Sequence, residues 1–137
     1  MPFVIDASVA ACWAFDDEDH PVAAIALERI RTDAARAPAL LWFELRNILI
    51  VNERRKRIRK ADTAGFLRGF SRLGVTFDRS PIEVDVLALA RRRGLTVYDA
   101  AYLELARREG LTLATLDVGL AKAARAEGVA LLESNVA

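Results

Sequence analysis

The side chains with the clearest chemical potential are four carboxylates spread along the chain, Asp6, Glu44, Asp99 and Asp117. Three of them follow short apolar runs typical of β-strands, at residues 3–5, 95–98 and 113–116. In open α/β sheets, functional groups gather beyond the carboxyl ends of the strands, so these three acids are expected at one edge of the sheet. The fourth, Glu44, lies within the apolar stripe of a predicted helix, where a charge is costly unless something pairs with it.

Each of the four acids also has a purely structural explanation. Aspartate is a common helix N-cap, and Asp99 and Asp117 both stand at the start of predicted helices. Glu44 could lie at the edge of its stripe and reach solvent or an arginine. The combination favours chemistry, because clustered carboxylates repel one another unless they are protonated or bridged by cations. No lysine or arginine adjoins any of the four in the sequence, so a bound divalent metal ion is expected to resolve the repulsion.

The ligand type indicates which metal to expect. An all-oxygen set favours a hard cation, and the expected metal is Mg²⁺ or Mn²⁺. Zinc is not expected, because the chain has 1 His and 1 Cys. A hard cation held by carboxylates suits the hydrolysis of phosphodiester bonds. The sequence therefore indicates a metal-dependent hydrolase in which the acids hold the metal rather than attack the substrate.

The helices that must position these acids are indicated by apolar spacing and by capping residues. A short helix is expected after residues 3–5, with Ser8 as its N-cap. Longer helices are expected at residues 22–35, 40–57 and 62–73. Asp62 is the expected cap of the last of these, and Ser80, followed by a proline, is the expected cap of another.

Strands are indicated by a repeated pattern in which a glycine ends a helix and an aliphatic residue follows it. The glycines are Gly74, Gly94, Gly110 and Gly128. The strands predicted after them cover residues 75–77, 95–97, 111–115 and 129–132. Alternating helices and strands predict an α/β fold with a central, mostly parallel sheet flanked by helices on both faces. The length favours a single domain, residues 1–137.

The composition excludes several classes of protein. Hydrophobic residues make up 53% of the chain and charged residues 28%, which is typical of a globular protein rather than a disordered or fibrous one. No apolar run is long enough to cross a bilayer, and residues 1–15 lack the features of a signal peptide. We therefore expect a cytoplasmic protein without a membrane partner. Cys12 is expected to be a buried free thiol.

Taken in order along the chain, four motifs resemble those of PIN-domain nucleases and, among these, the VapC-type toxins of toxin–antitoxin modules. The motifs are Val4-Ile5-Asp6-Ala7-Ser8, Glu44 with Asn47 and Leu49, Tyr98-Asp99-Ala100-Ala101-Tyr102, and Leu113-Ala114-Thr115-Leu116-Asp117. Together they span almost the whole chain. The resemblance implies a PIN-like three-layer sandwich in which helices flank the central sheet.

The resemblance also implies roles for individual residues and for partners. It implies that Asp6, Glu44, Asp99 and Asp117 form an acidic metal pocket, supported by the hydroxyls of Ser8 and Thr115. Ser8 could instead serve as an N-cap and Thr115 as an ordinary strand residue. Tyr102 falls one helical turn after Asp99, and a core role is the alternative for it. The family further implies a Mg²⁺- or Mn²⁺-dependent endoribonuclease that cuts structured RNA, forms homodimers, and is inhibited by a cognate VapB-type antitoxin whose tail blocks the pocket.

A basic segment offers a possible contact with RNA phosphates, through Arg54, Arg55, Lys56 and Arg57. Positive side chains near a helix C-terminus are also favourable through the helix dipole, so a solvated helix end explains the same pattern. No aromatic residues interleave with this segment. The sequence therefore favours recognition of RNA by its shape over stacking of single-stranded bases.

Other classes of protein fit the sequence less well. A phosphoacceptor signalling domain would carry paired acids near the first strand and a lysine after the last, and neither is present. A haloacid-dehalogenase-like phosphatase would have an acid in place of Ser8. A housekeeping RNA-processing PIN nuclease without an antitoxin stays open. A PIN fold kept as a non-catalytic binding module is disfavoured, because all four acids are present.

Overall fold

Four short parallel strands form the centre of the protein in the computed structural model, which describes residues 1–133. The strands are β1 (Phe3–Ile5), β2 (Ala35–Pro38), β3 (Thr76–Asp78) and β4 (Thr112–Ala114). Their order across the sheet is β3-β2-β1-β4, and every neighbouring pair is parallel. Because all the strands point the same way, their carboxyl ends share one edge of the sheet.

Helices flank the sheet, and the α/β fold with a central parallel sheet expected from the sequence is confirmed. Within residues 1–133 they are α1 (Ala7–Cys12), α2 (Pro21–Arg29), α3 (Leu40–Arg54), α4 (Lys60–Arg72), α5 (Glu83–Arg93), α6 (Val97–Glu109) and α7 (Val118–Ala126). Helix α6 packs across β1, β2 and β4, while α1 packs against α2 and α3. No helix in this part of the chain is both long enough and apolar enough to cross a membrane.

The hydrophobic core forms where the sheet meets the helices. The side chains of β1 are fully buried, because this central strand is covered on its faces and paired on both edges. Helix α3 contributes the stripe Leu41, Leu45 and Leu49, all at 0% exposure. Helix α6 is buried continuously from Ala100 to Ala106. Cys12 is buried and free, as expected.

The start of the chain differs from the sequence prediction in three details. Asp6, rather than Ser8, is the N-cap of α1, and its side chain accepts a hydrogen bond from the backbone N–H of Val9. Helix α2 ends at Arg29 and does not continue to residue 35. Residues 35–38 instead form β2, which the sequence did not indicate, because Ala-Arg-Ala-Pro has little intrinsic preference for a strand.

Several other boundaries predicted from the sequence were also wrong. Residues 95–97 form no strand, because Thr96 caps α6 and its side chain accepts from the N–H of Asp99. Residues 129–132 contribute only an isolated bridge to β4 at Leu131. Helix α3 ends at Arg54, and Lys56 has a φ of 59°.

The predicted caps of the two middle helices were wrong as well. Helix α4 begins at Lys60, so Asp62 lies in its first turn and accepts from the N–H of Arg59. Helix α5 begins at Glu83, with Ile82 rather than Ser80 as its N-cap. The four glycines predicted to end helices all have positive φ, as the C-terminal glycine pattern requires.

Glu127 ties together the ends of three helices away from the acidic edge. Its carboxylate accepts from Arg92 at 2.8 and 2.9 Å and from Arg93 at 2.6 Å, both on α5. Arg107 of α6 lies 3.7 Å away. The hydrogen bonds from Arg92 and then Arg93 lower the pKa of Glu127 from 4.5 to about 2, against the opposing effect of burial.

The lowered pKa of Glu127 predicts how the free energy of unfolding depends on pH. The folded protein holds Glu127 ionised below the pH at which the unfolded chain protonates it, so the stabilisation is complete above about pH 4.5 and is lost as the pH falls towards 2. Glu127→Gln should lower the melting temperature at pH 7 by a few degrees and remove this part of the acid dependence. Thermal melts from pH 2 to 7 measure both, with Glu28→Gln, an exposed carboxylate, as the control. Equal acid dependence in wild type and Glu127→Gln would contradict the assignment.

Candidate metal centre

The four acids predicted from the sequence lie around the carboxyl edge of the sheet. Asp6 directly follows β1, and Asp117 follows β4 after two intervening residues. Glu44 stands in the second turn of α3, which begins just after β2, and Asp99 stands in the first turn of α6. The fold therefore brings acids from residues 6, 44, 99 and 117 to one region, although the chain separates them widely.

Asp6 is the most deeply buried of the four, at 4% exposure. One carboxylate oxygen, Oδ1, accepts from Ser8 Oγ at 2.6 Å and from the N–H of Val9 at 3.1 Å. The other, Oδ2, accepts a short hydrogen bond from Thr115 Oγ1. Burial raises the pKa of Asp6, while the hydrogen bonds from Ser8, Thr115 and Val9 favour the ionised form and the charge of Asp99 opposes it.

The two hydroxyls predicted as supporting groups both lie at Asp6 and tie it to the segment after β4. Ser8 Oγ accepts from the N–H of Leu116 at 2.9 Å. Thr115 Oγ1 accepts from the N–H of Asp117 at 3.0 Å. Each hydroxyl thus donates to Asp6 and accepts from the backbone that carries Asp117. These contacts fix the spacing between the first and last acids of the set.

Glu44 lies at the edge of the α3 stripe, half-buried rather than in the core. Its Oε1 accepts from the hydroxyl of Tyr102 at 2.6 Å. Burial raises the pKa of Glu44, the hydrogen bond from Tyr102 lowers it, and the charges of Asp99 and Asp6 raise it further. Glu44 therefore experiences the negative charge of two other acids of the set.

Tyr102 is a residue of the site that the sequence reasoning assigned to the core. It is 1% exposed, so that description of its ring is correct, but its hydroxyl points to Glu44. The pKa of Tyr102 is raised by burial and by Glu44, so the phenol stays protonated and keeps donating. The available signal was its place three residues after Asp99, one helical turn along α6.

Asp99 lies in the first turn of α6 and Asp117 is the N-cap of α7, and the negative charge of Asp117 acts on Asp99. Burial raises the pKa of Asp99, and the charge of Asp117 raises it further. Asp117 is the N-cap of α7, where its Oδ1 accepts from the N–H of Leu120 at 2.8 Å. The capping role considered for Asp117 is therefore present, and it leaves Oδ2 without a hydrogen-bond donor among the described residues.

The charge balance of this region differs from that of the protein's other buried acids. Glu104 and Glu127 are each ion-paired with arginine. None of the four site acids forms an ion pair with any residue of 1–133. Burial, and then the charges of neighbouring acids, raise the pKa values of Asp6, Glu44 and Asp99, and no cation of the described residues opposes this effect. The donor atoms of all four acids are oxygens. That combination fits a hard divalent cation.

The acids are not drawn together into a closed cage. Within residues 1–133, no three His, Cys, Asp or Glu side chains form a preformed metal-binding group. Charge effects on pKa nevertheless connect Asp6, Glu44 and Asp99, and the charge of Asp117 acts on Asp99. The two findings are compatible, because magnesium keeps several of its waters and is commonly bound by one or two carboxylates together with substrate phosphate.

A cavity of about 530 Å³ lies beside the acidic edge, and its lining includes Asp17, Glu18 and Asp19 but none of the four acids. Ser8 and Leu116 line the end next to Asp6, and Asn52 and Arg57 line another part. Arg57 is engaged within the protein, 2.7 Å from Asp17 and stacked over a ring of Phe15 at 4.3 Å. The other three members of the basic segment, Arg54, Arg55 and Lys56, are exposed.

Comparison with known proteins identifies relatives along almost the whole chain. The family model for the PIN domain matches residues 3–126. Ribonuclease VapC3 of Pyrobaculum aerophilum is 31% identical over 125 residues, which cover 89% of this chain and 94% of that protein. The crystal structure of PAE2754, also from Pyrobaculum aerophilum, superposes with a TM-score of 0.75 at 25% identity and covers 96% of this chain and 90% of that one.

No lysine or arginine of the described residues pairs with the four acids. We therefore expect Mg²⁺ to change the difference in stability between the wild type and Asp99→Asn. In chelator, Asp99→Asn should be at least as stable as the wild type, because one of four repelling charges is removed. With Mg²⁺ at ten times its dissociation constant, the wild type should gain about 1.4 kcal/mol, and Asp99→Asn clearly less. Urea unfolding with and without Mg²⁺ measures the difference, with Glu28→Gln as the matched control. An equal gain for wild type and Asp99→Asn would remove Asp99 from the site.

Proposed function

The chain belongs to the PIN-domain family, and on that premise we propose that it is a metal-dependent endoribonuclease, the toxin of a type II toxin–antitoxin pair. The proposal is supported by the similarity to a protein named as a VapC ribonuclease. The metal we propose is Mg²⁺ or Mn²⁺, because the donors available are carboxylate oxygens.

One observation carries the proposal. Burial and neighbouring negative charge raise the pKa values of Asp6, Glu44 and Asp99 at a single sheet edge. Asp117 adds its charge beside Asp99, and no lysine or arginine of the described residues pairs with any of the four acids. Elsewhere the protein pairs its buried carboxylates with guanidinium groups, as at Glu104 and Glu127. A fold that only needed structural acids at this edge would be more stable with such partners. We infer that this negative charge is compensated by a divalent cation that the four acids bind when the protein acts on its substrate.

We assign roles to the side chains from their contacts. Asp6, Glu44, Asp99 and Asp117 would hold the cation. When bound, the cation would supply Lewis-acid chemistry for hydrolysis of a phosphodiester bond. Ser8 and Thr115 hold both oxygens of Asp6 in fixed directions, and Tyr102 does the same for one oxygen of Glu44. Such outer contacts keep carboxylates in position for a ligand.

We propose that RNA approaches along the cavity of about 530 Å³, whose lining extends from Ser8 and Leu116 beside Asp6 to Arg57 of the basic segment. Arg54, Arg55 and Lys56 are exposed and suited to phosphate contacts, which would weaken as salt rises. Arg57 would act differently from the other three, because Asp17 and Glu18 already compete for its guanidinium. An RNA phosphate would have to displace these carboxylates to use Arg57.

The toxin role further implies a VapB-type antitoxin as partner, a homodimer and action in the cytoplasm. The likeness to a protein named VapC supports the antitoxin. The homodimer and the cytoplasmic location are what the family resemblance implies. A small open reading frame immediately upstream of the gene would support the antitoxin. A solitary gene would favour the alternative of a housekeeping RNA-processing nuclease, which would need the same acids.

The proposal predicts loss of cleavage when a single site carboxylate is neutralised. Asp6→Asn should cleave RNA more than about 100-fold more slowly than wild type, because a ligand matters at least as much as its outer contacts. Asp99→Asn should lose cleavage to the same extent and keep its fold, because the Asp99 carboxylate accepts no hydrogen bond from residues 1–133, whereas Asp6 accepts three. Total RNA incubated with purified, antitoxin-free protein and Mg²⁺ provides the assay, and growth on expression provides a second readout. Glu28→Gln, an exposed carboxylate, should remain active. Undigested RNA with the wild type would refute the ribonuclease proposal, and full activity of Asp6→Asn would refute the site.

Tyr102→Phe tests the hydroxyl that holds Glu44. It should lower kcat by roughly 10- to 100-fold, as other outer contacts of metal ligands do, and leave KM for RNA nearly unchanged. Tyr98→Phe makes the same chemical change on the same helix at a residue that is 64% exposed, and should retain its turnover. If Tyr102→Phe turns over as fast as the wild type, Tyr102 is a core residue only.

A further inference from the structure

An aromatic surface that the sequence did not reveal lies at the start of α3. Phe43 is 69% exposed and Trp42 is 45% exposed, and their rings meet edge to face with centroids 4.9 Å apart. The guanidinium of Arg46 covers the Trp42 ring at 3.7 Å from its centroid. We call this surface, together with Phe77 and Arg79, the aromatic shelf. Its shallow cavity of about 400 Å³ is lined by Ala39, Trp42, Phe43, Phe77 and Arg79.

The aromatic shelf lies on the same edge of the sheet as the four acids. Ala39 directly follows β2 and Arg79 directly follows β3, just as Asp6 directly follows β1. Since the strand order is β3-β2-β1-β4, the shelf and the acids are neighbours along this edge. Adjacent strands are about 4.8 Å apart, so the ends of β2 and β3 lie roughly 5–10 Å along the edge from the end of β1, which Asp6 follows. Glu44 and Phe43 are also consecutive on α3.

The charge of the aromatic shelf indicates the kind of partner it suits. Neither Arg46 nor Arg79 forms an ion pair with a residue of 1–133, and no acid lines the shelf cavity. Uncompensated guanidinium groups favour an anionic partner. A symmetric contact with a second copy of the chain would place this positive charge against itself. Exposed aromatic rings beside arginines are instead the usual surface for stacking the bases of single-stranded nucleic acids.

We propose that the aromatic shelf is a nucleobase subsite, in which an unpaired base next to the scissile phosphate stacks on Phe43 while Arg46 and Arg79 face the adjoining phosphates. The proposal rests on the ribonuclease function and deepens it. It adds base stacking to the recognition by shape that the sequence favoured. The aromatic shelf joins residues from α3 and from the end of β3, so no local run of the sequence displays it.

The test separates ring stacking from simple apolar contact. Binding of a fluorescein-labelled single-stranded oligoribonucleotide is measured by anisotropy in chelator, so that no cleavage occurs. Phe43→Leu, which keeps an apolar side chain but loses the ring, should weaken binding by about 5- to 150-fold, the loss expected for one stacked base. Phe43→Trp should bind like the wild type. Val84→Ala, another exposed apolar side chain, serves as the control at 71% exposure.

Two further measurements decide between partners. The same oligonucleotide annealed to its complement should bind wild type and Phe43→Leu equally, because its bases are not free to stack. Sedimentation of each variant gives the oligomeric state, which should not change. Unaltered single-strand binding by Phe43→Leu would overturn the proposal, and so would a dimer that falls apart in that variant, since the shelf would then be a contact between copies.

Failure of the aromatic shelf and failure of the ribonuclease proposal give different results. Wild-type protein that cuts RNA while Phe43→Leu binds and cuts equally well overturns the shelf alone. A second outcome is that the wild type cuts no RNA in Mg²⁺, while Phe43→Leu binds single-stranded RNA more weakly than the wild type does. This result would overturn the nuclease proposal and support the aromatic shelf as a base-binding surface.

Discussion

The constraint on which the structure depends is the burial of the Asp6 carboxylate at the end of the central strand. A buried charge without partners would cost several kcal/mol, and the protein offers it hydrogen bonds instead of a counter-ion. Val9, Ser8 and Thr115 donate to both carboxylate oxygens. These donors come from α1 and from the segment after β4, so satisfying one side chain also fixes how the first and last strands meet.

The remaining charges are arranged around that constraint in two ways. Away from the acidic edge, arginines neutralise acids and thereby tie helices together: Arg108 bridges Glu104 and Asp78, and Glu127 collects Arg92 and Arg93. At the acidic edge no guanidinium is supplied by the described residues. The protein therefore holds enough arginine to neutralise this region and places it elsewhere, which makes the excess negative charge a property of the site rather than a shortage of cations.

The sequence was informative where placing a residue type at its position costs free energy, as for a charge in an apolar stripe. It was less informative where tertiary packing determines the secondary structure. Glu44 was identified because a charge in an apolar stripe needs an explanation, and the structure places it half-buried beside Tyr102. The strand β2 was missed, because Ala-Arg-Ala-Pro becomes a strand only through pairing with β1 and β3. The fold class survived these errors, because α/β alternation and the glycine C-caps fix it without exact boundaries. The contact of the Tyr102 hydroxyl had only a weak signal, the position of Tyr102 one turn after Asp99, because the sequence neighbours of a buried tyrosine indicate a core residue.

A net charge of +1 provides little overall attraction for a polyanion. The structure shows, however, that positive and negative side chains are separated on the surface. Asp17 and Glu18 form ion pairs with Arg57, and four other acids lie at the acidic edge. Arg46 and Arg79 form no ion pair with the described residues, and they lie next to exposed aromatic rings at the same sheet edge. A nucleic acid on this edge would meet attraction at the phosphates beside the aromatic shelf and repulsion at the acids, until a divalent cation reverses the latter. If Mg²⁺ and RNA bind here as proposed, electrostatics would couple the two binding events without any change in the fold.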